Sequence, residues 1–362
     1  MAPALVETHQ EEKYNIPSKA TAAGERTYLT SSGLLESQYK LKDLTPIIGT
    51  EIDVKLDEVW NSENRDEILK EIAIKISQRG VCFFRSQDGL TADVQKEIMQ
   101  RMGELTGKPS TSRLHIHPIW NNDREDGTND PEISTISSVQ TKKFEGTVAK
   151  KQFSAHWHTD IAFEPNPAEY TSLRLTELPE VGGDTLWASG YELYDRISKT
   201  YQKFLESLNF TAAQPGFKTV AARMGVKLYD GQRGAPANIG DQFKAIHPVV
   251  RTNAVTGWKS VYPIGFHVDK INDVSACESK ALLDWFMKLI IENHDMQVRF
   301  KYENRNDMAI WDNRCVFHTA TFDLEGQGER FGVRAVGIGE QPFYDPNSKS
   351  RREALGQTVD LA

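Results

Sequence analysis

His158-Thr159-Asp160, inside the run AHWHTDIAFE, sets an imidazole and a carboxylate two positions apart. In an extended strand alternate side chains leave the same face, so the two groups could converge on one point. A carboxylate with histidines and open positions is the ligand set of non-haem Fe(II) oxygen chemistry. The ordinary alternative is a packed strand that happens to carry both residues. With 9 histidines and 51 acids in 362 residues, chance supplies roughly one histidine with an acid two positions on. Three occur, at His9/Glu11, His158/Asp160 and His267/Asp269, so spacing alone does not select one.

The order of the neighbouring runs selects it. LHIHPIW precedes HWHTDIAF, and ELPEVGGDTLW, HPVVRTNAVTGWK, AIWDNR with His318, and GERFGVRAVGIG with Arg330 and Arg334 follow it. This ordered set resembles the taurine/alpha-ketoglutarate dioxygenase (TauD/TfdA) family, from about TPIIGTEI at 45 to QPFY at 344. The resemblance implies a double-stranded β-helix that uses Fe(II), 2-oxoglutarate and O2. It implies His158, Asp160 and His318 as the iron triad, and Thr185 and Arg330 as the grip on the distal carboxylate of 2-oxoglutarate. A planar guanidinium and a hydroxyl suit that task, giving a bidentate charge-assisted contact plus one more donor. His117 and Arg334 would hold an anionic group of the primary substrate, and Trp120 and Phe266 would be pocket aromatics. Ser154 stands where taurine oxidisers carry an asparagine, and the segment 137–154, expected as a lid, departs in length and charge. The substrate is therefore left open among a sulfonate, an alkyl sulfate and a carboxylate such as an amino acid. Hydroxylation beside a sulfonate with sulfite release is the leading expectation. The same cofactors acting on a small carboxylate, in a biosynthetic pathway, is the second. A zinc-loaded barrel that is no oxygenase is a third, and Thr185 with Arg330 argues against it.

Each residue also has a bland reading. Thr185 could be a turn residue after Gly182-Gly183, and His318 a satisfied histidine. Trp120 and Phe266 could be plain core, and the two arginines could be surface groups. Arg330 and Arg334 share a strand face with Gly332, whose missing side chain would leave room for ligands. Four residues of strand put the arginines about 13 Å apart, too far for both to grip one carboxylate through its main contact. His156 is read as structural.

The elements that must position these residues are legible in part. ENRDEILKEIAIKISQRG repeats isoleucine at 68, 72 and 76 and ends at Gly80, the pattern of an amphipathic helix with a glycine stop. LTADVQKEIMQRMGEL begins a second helix with Thr91 as N-cap. YELYDRISKTYQKFLESL reads as a third. SACESKALLDWFMKLIIEN, a fourth, opens on a Ser275…Glu278 capping box. Between them lie short apolar runs such as VCFFRS, YTSLRLTEL, QVRFKY, MAIWDNRCVFH and RFGVRAVGIG, broken by Gly, Pro and Asn. Many short strands without regular helix alternation predict a mainly β fold with flanking helices (α+β) and a jelly-roll core. The expected layout is a polar arm over 1–42, one catalytic domain over 43–346 and a polar tail over 347–362. The arm could lie across a neighbouring copy, leaving a homo-oligomer open. The net charge of −8 and pI near 5.7 argue against a nucleic-acid partner. No 18-residue apolar run occurs, so no membrane span is expected. Cys82, Cys277 and Cys315, odd in number and widely spaced, fit reduced thiols in a cytoplasmic protein that acts on a small molecule.

Overall fold

The computed structural model describes residues 27–119, 124, 126–139 and 156–357. Helix Arg65–Arg79 buries Ile68, Ile72 and Ile76 on one face and stops where Gly80 turns to φ 76°. The strand Val81–Phe84 follows at once. Helix Ala92–Leu105 starts where the Thr91 side chain accepts the Val94 N–H. Helix Ala276–Glu292 starts on the expected capping box, with both the Ser275 and Glu278 contacts made. Local cap chemistry thus fixes these boundaries. The third expected helix is two, Gly190–Asp195 and Lys199–Leu205, because Ser198 adopts an extended ψ of 148° between them.

Seven strands form the large sheet, in the order Leu41–Asp43, Thr50–Ile52, Val81–Phe84, Met308–Asp312, Ala168–Glu177, Phe331–Ile338 and Ile133–Ser137. All neighbours are antiparallel except Thr50–Ile52 with Val81–Phe84. A three-stranded sheet, Gln297–Phe300, Thr185–Ser189 and Val316–Ala320, faces it. Leu173, Leu175, Ala309 and Trp311 of the large sheet pack with Trp187, Val298, Phe300 and Val316 of the small one in a single buried cluster. Burying both inner faces against each other is what makes the pair a stable sandwich. Helices Arg65–Arg79 and Ala92–Leu105 cover the outer face of the large sheet through Ile72, Ile76, Ile98 and Met102. This is the expected jelly-roll core with helices outside it.

The end of the expected arm is ordered: Leu34–Gln38 is a short helix, and Leu41–Asp43 is the edge of the large sheet. The expected tail likewise contains a capped turn of helix, Arg351–Ala354. Among the described residues no helix is long and apolar enough to cross a membrane. Cys82 and Cys315 are buried and Cys277 is exposed, and none is in a disulfide.

Candidate active site

His158 and His318 lie side by side because their backbones form an antiparallel bridge, with N···O distances of 3.0 and 2.8 Å. That bridge makes His158 a one-residue continuation of the small sheet. Asp160 is not on a strand, as the alternation argument assumed. The chain turns after Thr159, and Ile161 has φ 59°. The turn, rather than a pleat, brings the carboxylate round. One ligand atom from each of His158, Asp160 and His318 then lies within 4.8 Å of the others. Asp160 Oδ1 is 3.7 Å from His158 Nε2 and 3.9 Å from His318 Nε2.

Each side chain is oriented by a neighbour. The ring of His158 bonds through Nδ1 to the His156 carbonyl at 2.7 Å, which puts the proton there and leaves the Nε2 lone pair inward. Asn313 fixes the aspartate. Its Oδ1 accepts the Asp160 N–H at 3.2 Å and the Trp311 Nε1–H at 3.1 Å. Its Nδ2 donates to the Glu169 carbonyl at 3.0 Å and to Thr171 Oγ1 at 2.8 Å. The Thr171 hydroxyl, accepting from Asn313, turns its own proton to Asp160 Oδ2 at 3.1 Å. Gly265 packs on the same segment. A Cβ there would meet the Trp157 carbonyl at 2.0 Å, and φ is +92°.

Burial alone would push the Asp160 carboxyl up. The Arg334 guanidinium, 3.1 Å away, then His318 and His158, override it and hold the group well below the usual carboxylate range. Burial, reinforced by the charge His158 would carry, drives His318 down to about 3. A neutral His318 and an ionised Asp160 are protonation states a divalent cation needs, and with His158 these side chains could hold one.

Thr185 opens the small-sheet strand that carries Trp187, the residue paired with His318. Thr185 therefore shares His318's inner face, two positions or about 6.6 Å along, the length scale of a five-carbon diacid bound at one end to the metal. Arg330 reaches it: Nη2 lies 3.4 Å from Thr185 Oγ1, and Nε donates to the Gly183 carbonyl at 2.8 Å. Gly183, at φ 71°, allows this approach, since a Cβ would meet Arg330 Cδ at 3.0 Å. Arg330 is buried, and among the described residues none of its contacts is an ion pair. A buried guanidinium without a carboxylate among its contacts fits an incoming anion.

Arg334 lies inward on Phe331–Ile338 opposite Leu173, and its Nε is buried and has no hydrogen-bond partner among the described residues. Gly332 does not open space for a ligand: a Cβ there would strike Leu175 at 2.5 Å and the Arg174 carbonyl at 2.9 Å, so it serves strand packing. His117 is pushed down to about 4 by burial, with Arg334 adding to that effect. Its Nδ1 contacts the Ile119 carbonyl at 2.6 Å. The ring of Phe266 is 4.7 Å from that of His158 and is half exposed, as a wall of an open pocket would be. Trp120, Ser154 and residues 140–154 of the expected lid lie outside the described residues. The rival pair splits. His267 is buried 6.0 Å ring-to-ring from His158, whereas Asp269 is exposed on Val268–Ile271. Sequence reasoning missed Asn313 and Thr171. The asparagine stood in plain view in AIWDNR, but nothing local indicated its partners, about 150 residues away.

The family model for taurine catabolism dioxygenases TauD, TfdA family, matches residues 40–336. The chain is 49% identical over 341 residues to the alpha-ketoglutarate-dependent dioxygenase btcD of Neocamarosporium betae, covering 90% of this chain and 98% of that one. It is 32% identical over 310 residues to the alpha-ketoglutarate-dependent sulfonate dioxygenase of Saccharomyces cerevisiae, covering 85% and 69%. A taurine dioxygenase crystal structure from Burkholderia xenovorans superposes with a TM-score of 0.64 at 24% identity, over 86% of this chain and 92% of that one, a likeness of fold. The chain accordingly belongs to the TauD/TfdA family of alpha-ketoglutarate-dependent dioxygenases, oxidoreductases that use Fe(II), 2-oxoglutarate and O2.

Proposed function

We propose that this dioxygenase hydroxylates a carbon next to an anionic group of a small substrate, with His158, Asp160 and His318 as the iron ligands. The observation that carries the reading is Arg334. Its Nη1 reaches an oxygen of Asp160 while its Nε is buried without a partner, so one edge of a guanidinium stays available beside the metal. Iron with 2-oxoglutarate and O2 supplies the oxidation, in which the 2-oxo acid becomes succinate and CO2 and one oxygen atom enters a C–H bond. The protein's residues bind and orient. Arg330 and Thr185 hold the distal carboxylate of 2-oxoglutarate. Arg334 and His117 hold the primary substrate's anion, and Phe266 packs against its body. His318 stays neutral, and Asn313 and Thr171 keep Asp160 aimed.

A sulfonate is the leading substrate class. Its hydroxylated carbon would expel sulfite and leave an aldehyde. The likeness to the yeast sulfonate dioxygenase supports it. The greater likeness to the dioxygenase btcD, whose name specifies no sulfonate, keeps a carboxylate such as an amino acid as the second reading. Cytoplasmic residence, action on small molecules rather than nucleic acid or membrane, and a homo-oligomeric form belong to the same proposal. The test is a panel of sulfonates, sulfate esters and amino acids with Fe(II) and 2-oxoglutarate, scored for succinate and sulfite. Sulfite formed in step with succinate supports the first class. Succinate without sulfite on a carboxylate transfers the assignment to the second, and no stimulation by any anion removes the reading.

A further inference from the structure

Tyr302 lies two residues beyond Gln297–Phe300, the strand whose last residue pairs with Thr185. Its ring sits 5.0 Å from that of Phe300, and the Arg330 guanidinium carbon lies 5.8 Å from its centroid. The side chain is 7% exposed, and its hydroxyl is buried with no hydrogen-bond partner among the described residues. The Thr185 hydroxyl is close enough to ease its ionisation yet forms no hydrogen bond with it. Burial pushes the phenol up to about 12, so it remains a proton donor throughout the physiological range.

An unpartnered buried hydroxyl is a costly ornament, because a phenylalanine would fill the same space without it. The groups around it explain why it is there. Thr185, Arg330 and Tyr302 border one spot, and the contacts of Thr185 and Arg330 include no carboxylate. A carboxylate offers about four acceptor positions on its two oxygens. The guanidinium fork takes two and a threonine hydroxyl one, which leaves a place for a further O–H donor. We propose that Tyr302 is that donor, a specificity-determining residue that selects a diacid as the 2-oxo acid cosubstrate. The inference rests on the assignment of Thr185 and Arg330 to the distal carboxylate.

The test is anaerobic calorimetric titration of the full-length Fe(II) protein, wild type against Tyr302→Phe. Two acids are compared: 2-oxoglutarate, and 2-oxobutanoate, which has the same chelating end and no distal carboxylate. Tyr302→Phe should weaken 2-oxoglutarate about 10- to 100-fold, as expected for one hydrogen bond to a charged group. It should leave 2-oxobutanoate unchanged and, without any 2-oxo acid, melt no lower than wild type. Unchanged affinity for 2-oxoglutarate overturns the proposal. Equal loss for both acids also overturns it, since it marks a packing role. Arg330→Gln, measured alongside, separates the layers. If Arg330→Gln weakens 2-oxoglutarate and Tyr302→Phe does not, only the third donor falls. If neither does, the assignment of the clamp falls with it.

Discussion

Two ends of one pocket hold charge in opposite ways. At the metal end Arg334 already has a carboxylate, that of Asp160, the proposed iron ligand, 3.1 Å away. At the far end Arg330 has a hydroxyl and a carbonyl but, among the described residues, no counterion in contact. The metal end is furnished with groups that titrate below neutrality, namely Asp160, His117, His267 and His318. The far end has threonine, arginine and tyrosine, whose protons stay in place across that range. The contrast teaches that one end must change partners as ligands arrive, whereas the other has only to receive one. Charge at the far end is preorganised; at the metal end it is shared.

The largest effect that could break this comparison is at Asp160. Asp160→Ala should abolish Fe(II) retention and turnover, while Asp269→Ala should leave both intact. Metal content after anaerobic dialysis decides it, and the reverse result would transfer the site to His267/Asp269. Next is Arg330→Ala. Losing a charge-assisted contact to a buried partner costs about 2–5 kcal/mol, so affinity for 2-oxoglutarate should fall roughly 30-fold or more. An unchanged KM would put Arg330 outside the pocket.

Arg334→Ala should act on the other ligand, weakening the primary substrate about 10-fold or more and 2-oxoglutarate far less. Arg334→Lys keeps the charge, loses the fork and should recover part of the affinity. Titration of both ligands into the anaerobic Fe(II) protein reads this directly, and equal losses would erase the distinction between the two ends. The smallest effect is in stability against pH. In the metal-free protein His117 and His247 are pushed down to about 4, and His267 and His318 to about 3, each chiefly by burial. The unfolded chain takes up these protons below about 6.5 and the fold does not. Stability is therefore full above that pH and falls as pH drops from about 6.5 towards 4. His117→Gln should flatten the slope by at most about 1.4 kcal/mol per pH unit, and Arg330→Ala should leave it unchanged. Urea midpoints across that window, with the slope altered by Arg330→Ala and untouched by His117→Gln, would refute the division.

How far the sequence led depended on how local each signal was. The N-caps at Thr91 and Ser275 and the stop at Gly80 are written within four residues of themselves, and all three stand where expected. The order of motifs also singled out residues that the fold brings together, His158, Asp160 and His318 in one group and Thr185 beside Arg330. Alternation failed at Asp160 because a turn, with Ile161 at positive φ, does the work assigned to a strand. It failed at Gly332 because the partner strand fills the space with Leu173 and Leu175. Asn313 could not be read, since its bonds to Asp160 and Thr171 span more than 140 residues and leave no periodic trace. The same distance hides Tyr302, whose relation to Arg330 exists only once the sheets face each other.

The bridge between His158 and His318 carries a consequence for how the enzyme is made. On the proposed ligand set, a nascent chain that has just delivered Asp160 would offer iron an incomplete chelate. The missing ligand leaves the ribosome 158 residues later (318 less 160), on the order of ten seconds at ordinary rates of synthesis. Until the strand Val316–Ala320 has added to the small sheet, the cell's iron has nowhere selective to go. With these ligands metal capture would be a late event in the life of each molecule, and chains released before residue 318 should leave the iron pool untouched.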